Sequence, residues 1–224
     1  YKTQYYLTVN TNLGEVLTLN PTAVSSEGWH DSGSTATVDA VQNVDKVAGQ
    51  SRYDFRSWTG ATPTGTGNQA TVYMDGPKTA TANYQLQYKI TFAQSGVGID
   101  FTGTVVTIDT TDYDVTGLSV NFWWDENSTH SFDFKSPLMV GTDKRYVWTS
   151  TTGLSTLQSG TLTITTSGSV TGNYKTQYQV SFTQTGSGLA PTVTYTADTD
   201  PAETVPFSVW VKAGSEISYT YQAI

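Results

Sequence analysis

An all-β fold of tandem modules is what this sequence predicts, and three observations predict it. One strand word is written three times: "YKTQYYLTV" from Tyr1 to Val9, "NYQLQYKITF" from Asn83 to Phe92, and "NYKTQYQVSF" from Asn173 to Phe182. Apolar and polar residues alternate in twos through most short runs, the signature of half-buried strands. Clusters of Gly, Asn, Asp and Pro separate those runs, and no stretch of eleven residues keeps a helical period with caps.

The elements follow in order. In the opening strand Tyr5, Leu7 and Val9 share one face, as do Tyr88, Ile90 and Phe92 in the second writing and Tyr178, Val180 and Phe182 in the third. A second marker, "WHDSGSTATVDA" (Trp29 to Ala40), matches "WWDENSTHSFDF" (Trp123 to Phe134) and, more loosely, "WVKAGSEISYTY" (Trp210 to Tyr221). It supplies inward faces through Ala36, Val38 and Ala40, through Phe132 and Phe134, and through Ile217, Tyr219 and Tyr221. A third marker, "SRYDFRSWTG" (Ser51 to Gly60), matches "KRYVWTSTTG" (Lys144 to Gly153). Here Tyr53 and Phe55 are in phase and Trp58 is not, which predicts a bulge or a strand end. A fourth, "ATVYMDGPKTATANY" (Ala70 to Tyr84), matches "LTITTSGSVTGNY" (Leu162 to Tyr174). Residues 1–84 and 85–174 therefore read as complete repeats, and 175–224 as an incomplete third that lacks the last two markers. Short strands without a helix favour an immunoglobulin-like β-sandwich for each repeat, with a β-grasp-like module as the alternative.

Composition narrows the function classes. Charged residues are 13% of 224, against about 25% in ordinary globular chains, and aromatics are 12%, enough to build cores. The net charge of −8 opposes nucleic acid phosphates and anionic lipid. No apolar run reaches the length of a membrane-spanning helix. Cysteine is absent, which removes disulfides, thiolate metal sites and a Cys nucleophile. Without an initiator Met or a signal-peptide pattern, the chain reads as a mature product or as an excised piece of a longer one.

The words "GWHDSGSTATVDA", "SRYDFRSWTG", "MDGPKTATANY" and "KTQYYLTV" resemble the tandem repeats of archaeal cell-surface proteins. Those are distantly similar to the divergent internalin-type B repeats of bacterial surface and S-layer proteins. The resemblance covers nearly the whole chain, and the first copy carries it most closely. It implies extracellular all-β modules that extend, space or assemble surface proteins. It implies no catalytic residues, and none is carried over.

Few residues offer chemistry. His30 and His130 do not occupy equivalent positions, and no G-x-S-x-G elbow is present, so a nucleophilic triad is not expected. Asp109, Asp112 and Asp114, in "DTTDYD", are the carboxylates that could hold calcium; no other cofactor is implied. "WDEN" and "DTDPAE" are further acidic loops, read as solvated charge. Asn127 begins the one N-x-[ST] sequon, "NST", and is the expected glycan acceptor. Trp29, Trp123 and Trp210 fall on the repeated marker and are expected in the core. Trp124 neighbours Trp123 in a strand, so one of the two faces out, and Trp124 is then the candidate ligand contact.

The expectation is a structural, non-enzymatic piece of an extracellular surface array: stalk, S-layer or filament subunit. Its partners are copies of itself or neighbouring repeats, with strand complementation of the incomplete third repeat. The alternative is an adhesin or carbohydrate-binding module using exposed aromatics.

Overall fold

The computed structural model describes residues 1–13, 27–65, 67–185, 192–196 and 203–221. The fold is all-β, with several sheets and no helix among the described residues. The first copy holds β1 (Gln4–Thr11), β2 (Gly28–Asp31), β3 (Thr35–Asp39), β4 (Asn43–Val47), β5 (Ser51–Thr59), β6 (Thr62–Pro63) and β7 (Gln69–Tyr73). β8 (Lys78–Ser95) closes that copy and opens the second without a break. The second copy continues with β9 (Val106–Ile108), β10 (Thr111–Tyr113), β11 (Val120–Asp125), β12 (Thr129–Phe134), β13 (Leu138–Val140), β14 (Lys144–Gly153) and β15 (Ser159–Thr163). β16 (Gly168–Phe182) closes it and opens the third, which has β17 (Thr192–Thr196), β18 (Glu203–Thr204), β19 (Phe207–Lys212) and β20 (Ser218–Tyr221).

Two compact units divide the chain differently from the copies. The first takes residues 1–90 together with Phe122–Ser128 and Ile164–Gly168; the second takes the rest. In the first unit β1 runs antiparallel to β2, with Gln4 opposite Asp31, and parallel to β8, with Leu7 opposite Lys78. β5 runs antiparallel to β8, and β4 covers its other edge. β3, β7 and β6 form a separate three-stranded sheet. Alternation aims both sets at one core: Leu7, Phe55, Ala80 and Ala82 from the first, Ala36, Val38, Ala70 and Val72 from the second.

The out-of-phase Trp58 is explained by a bulge. The β5–β8 register slips between Phe55 and Ser57, so Arg56 is the extra residue. The slip turns Phe55 and Trp58 into the same core, with ring centroids 5.8 Å apart, and Trp58 Nε1 donates to the Asn68 carbonyl at 2.7 Å. β14 repeats the slip between Trp148 and Ser150. A glycine with positive φ closes each bulge, Gly60 just after β5 at 79° and Gly153 as the last residue of β14 at 99°. A side chain on either would run into a backbone carbonyl, that of Thr79 or Ser169.

In the second unit β9, β12 and β15 pair in turn, with β10 outside β9, and β14 pairs with β13 and β16. Phe92, Phe132 and Phe134 are buried, with centroids 5.9 and 6.0 Å apart along the series. The third copy is thinner. β19 pairs with β16, and β17 sits between β18 and β20. Its described core is Phe182, Val193 and Val205, with Val180, Phe207, Val209 and Ile217 half-buried around it. Tyr219, expected to face inward, is exposed.

Candidate functional site: the joint between copies

The thrice-written word holds the joint. Tyr84, which opens the second writing of its Tyr-x-x-Gln-Tyr core, is buried in the core of the first copy, and its hydroxyl donates to the Val41 carbonyl at 2.9 Å. Tyr174 does the same for the second copy, donating to the carbonyls of Lys135 at 3.0 Å and Val105 at 3.3 Å. Burial pushes both phenols above their ordinary range, with Asp39 and Asp133 adding to it respectively. Each closing strand thus leaves a tyrosine in the copy behind it and goes on to open the copy ahead.

Three residues later comes glutamine. Gln87 Oε1 accepts from Arg52 Nε at 2.9 Å, and its Nε2 donates to Asp125 Oδ1 at 2.9 Å. The Arg52 guanidinium lies over the Trp123 ring, 4.4 Å from its centroid. Arg56, the bulge residue, pairs with the same Asp125. At the next joint Arg145 Nε donates to Gln177 Oε1 at 2.7 Å, and its guanidinium lies 4.3 Å from the Trp210 centroid. Desolvation lowers the pKa of Arg145. The arginine belongs to one copy, while the glutamine and tryptophan belong to the next. Cross-strand register aims them: Arg52 is opposite Gln87, and Arg145 is opposite Gln177. Both clasps combine a charge-assisted hydrogen bond with a cation stacked on an indole.

The repeated tryptophans therefore do not sit in the core as expected. Trp123 and Trp210 are half-buried under arginines, and Trp29 is 67% exposed. The reason is register. Trp29 is opposite Tyr6, and Trp210 is opposite Gln179, residues that alternate with the inward Leu7 and Val180.

Other repeated residues brace the bulges. Asn83 Nδ2 donates to Thr59 Oγ1 at 2.8 Å, and Asn173 Nδ2 reaches Ser150 Oγ at 3.3 Å. In the second unit Tyr146 and Lys144 both bond the Asp100 carboxylate, each at 2.6 Å. Lys144, then Tyr146, hold that carboxyl below the usual range.

The residues singled out by sequence fall as follows. Asp109 accepts from the Ser131 amide at 2.9 Å and lies 2.9 Å from His130 Nδ1. Asp112 accepts from Thr107 Oγ1 at 2.6 Å, and Asp114 accepts from Thr116 Oγ1 at 2.7 Å. Asp112 and Asp114 line one open recess of about 380 Å³ with Thr104, Tyr113 and Gly117. Among the described residues no three His, Cys, Asp or Glu side chains gather as a metal site. Asn127 is exposed at a turn with φ 66°. Trp124 is half-buried and stacks on Phe122 at 4.7 Å. Asp198 and Asp200 lie outside the described residues. The clasp arginines carry a sequence signal of their own: two of the chain's three arginines open the same repeated Arg-Tyr word.

No family model, curated protein or solved structure matches the chain.

Proposed function

We propose that the chain belongs to an extracellular surface protein built from tandem immunoglobulin-like modules, and that its work is mechanical. The observation that carries this reading is the repeated joint: one Tyr–Arg–Gln–Trp arrangement ties the first copy to the second and the second to the third. A joint built twice from the same side chains serves an array, in which each repeat is stabilised by its neighbours. The likeness of the repeat words to archaeal surface repeats supports the location, and the exposed Asn127 sequon suits a glycosylated surface. The modular reading is supported by the first copy, where a three-stranded sheet and the strands around β1 and β8 close on one core. The reading assigns no catalytic residues.

Assembly rests on the third copy. It lacks the Arg-Tyr strand and the closing strand, and its described core is small. Both Arg-Tyr strands of the chain already serve a clasp, and the assembly we propose is strand complementation of the third copy by a neighbouring repeat.

Protease treatment of intact source cells tests the location: a surface array is cut without lysis, and protection until lysis refutes it. Pulling single molecules tests the mechanical role. Stepwise unfolding of modules is expected, and extension without force peaks refutes it.

A further inference from the structure

We infer that the outer face of the first copy, formed by Gln4, Trp29 and the edge of β1 before Leu7, is an open clasp. It takes the Arg-Tyr strand of a repeat that precedes it in the same polypeptide. The inference rests on the array reading for its biology but on the two filled clasps for its geometry.

The first copy has every receptor group in place. Gln4 stands where Gln87 and Gln177 stand in the repeated word, Trp29 where Trp123 and Trp210 stand, and Asp31 where Asp125 stands. Gln4 Nε2 donates to Asp31 Oδ1 at 3.0 Å, just as Gln87 Nε2 donates to Asp125. That bond orients the amide and leaves Oε1 as the acceptor, the atom that Arg52 uses on Gln87. The Gln4 amide, then Lys2, hold the Asp31 carboxyl below the usual range, and Lys2 Nζ lies 3.2 Å from its Oδ2. Trp29 is propped edge-on by Tyr6, centroids 5.3 Å apart. Its indole is 67% exposed where its two counterparts are half-buried beneath guanidinium groups.

The backbone agrees. β2 holds one edge of β1 from Gln4 to Leu7, with the Ser32 amide donating to the Thr3 carbonyl at 2.9 Å. The Ala213 amide donates to the Thr176 carbonyl in the same way at the third copy. On the opposite edge β8 pairs only from Leu7 onward. At the two filled joints that opposite edge holds β5 or β14, and residues equivalent to Tyr6 receive it: the Lys89 amide donates to Gln50, and the Gln179 amide to Asp143. The register of the incoming strand follows, with its arginine opposite Gln4, as Arg52 is opposite Gln87 and Arg145 opposite Gln177.

The occupant is identified by its chemistry and its connection. A second copy of these 224 residues has no free Arg-Tyr strand, because Arg52 and Arg145 are both engaged. In both filled clasps the arginine comes from the preceding copy, whose closing strand runs unbroken into the glutamine strand. The same connection would carry Tyr1 into the preceding core, as Tyr84 is carried into the first.

The test joins a second copy of residues 1–83 directly ahead of Tyr1 of the full chain. Tryptophans are labelled as 5-fluorotryptophan, and the Trp29 resonance is assigned with Trp29→Phe. Its shift between H2O and D2O reports exposure. In the original chain the Trp29 shift is expected to be large; in the extended chain it should fall to that of Trp123. Arg52→Gln in the added copy alone should restore it. A folded added copy, shown by its own protected Trp58, with Trp29 still exposed would overturn the inference. So would a Trp29 that stays covered after Arg52→Gln. The measurement is made on purified protein, so it stands or falls separately from the protease test of location.

Discussion

Replacing Arg52 by methionine should loosen the first compact unit by a predictable amount. The substitution keeps an unbranched apolar side chain on the strand and removes the guanidinium. Two interactions go with it. The 2.9 Å bond to Gln87 Oε1 is charge-assisted and only partly buried, which places it at the low end for such bonds, about 1.5 kcal/mol. The cation over Trp123 at 4.4 Å adds about 0.5–1 kcal/mol at a half-exposed site. The sum, about 2 kcal/mol, is roughly a thirtyfold change in an opening equilibrium. The chain has no cysteine, so Val72→Cys, in the core of the same unit, gives a single reporter thiol. Its labelling rate in native buffer follows the opening of that unit when reclosing outpaces reaction. Arg52→Met and Trp123→Leu, singly and together on that background, complete a double-mutant cycle. The structure requires the pair to couple by about 0.5 kcal/mol or more. Strict additivity of the two substitutions would show that the guanidinium merely rests on the indole, and the clasp argument would fail.

Gly60→Ala should cost about 2 kcal/mol or more, since φ is 79° and the new methyl meets the Thr79 carbonyl; faster labelling of the same thiol checks it. Tyr84 and Tyr174 have folded-state pKa values raised above the unfolded value by burial. Their contribution is therefore fully present below pH about 10 and lost as pH climbs past it. Absorbance titration should show two phenols ionising only as the protein unfolds, and Tyr174→Phe should remove part of the alkaline loss. Trypsin should cut after Lys212, exposed beside the small third core, before it cuts anywhere in 27–182; earlier cleavage there would contradict the packing described.

Much of the fold was legible because it follows period two. Leu7, Val38, Phe92 and Phe134 face inward as alternation requires, and the phase break at Trp58 marks a bulge. The joint was legible only as repetition. A tryptophan written three times fits a core and fits a joint equally well in sequence. What separates them is which side of the pleat it takes, and that depends on pairing Trp29 with Tyr6 rather than with Tyr5 or Leu7. The acidic run "DTTDYD" does not announce the hydrogen-bond partners of its carboxylates. In the structure the three carboxylates turn to separate partners: the Ser131 amide, Thr107 and Thr116. The parallel pairing of β1 with β8 links residues about seventy apart, and no local pattern announces it.

The position of the joint explains why that particular word is the one preserved within the chain. A core strand tolerates exchange among apolar residues, so copies of a core drift: Val38 and Ala40 stand where Phe132 and Phe134 stand in the second copy. A joint residue answers to two copies at once. The tyrosine must fit the core behind it, and its hydroxyl must reach a carbonyl there; phenylalanine fills the space but leaves that carbonyl without its donor. Three positions on, the glutamine must take an arginine from the copy behind on one atom, and at the first two copies it also holds an aspartate on the other. Neither leucine nor glutamate offers both a donor and an acceptor on one planar group. Lys212 stands in the place of that aspartate at the third copy, and there the glutamine keeps its arginine bond. The arginine bond is thus the shared requirement of the filled joints, and it is the one that Gln4 is oriented to make.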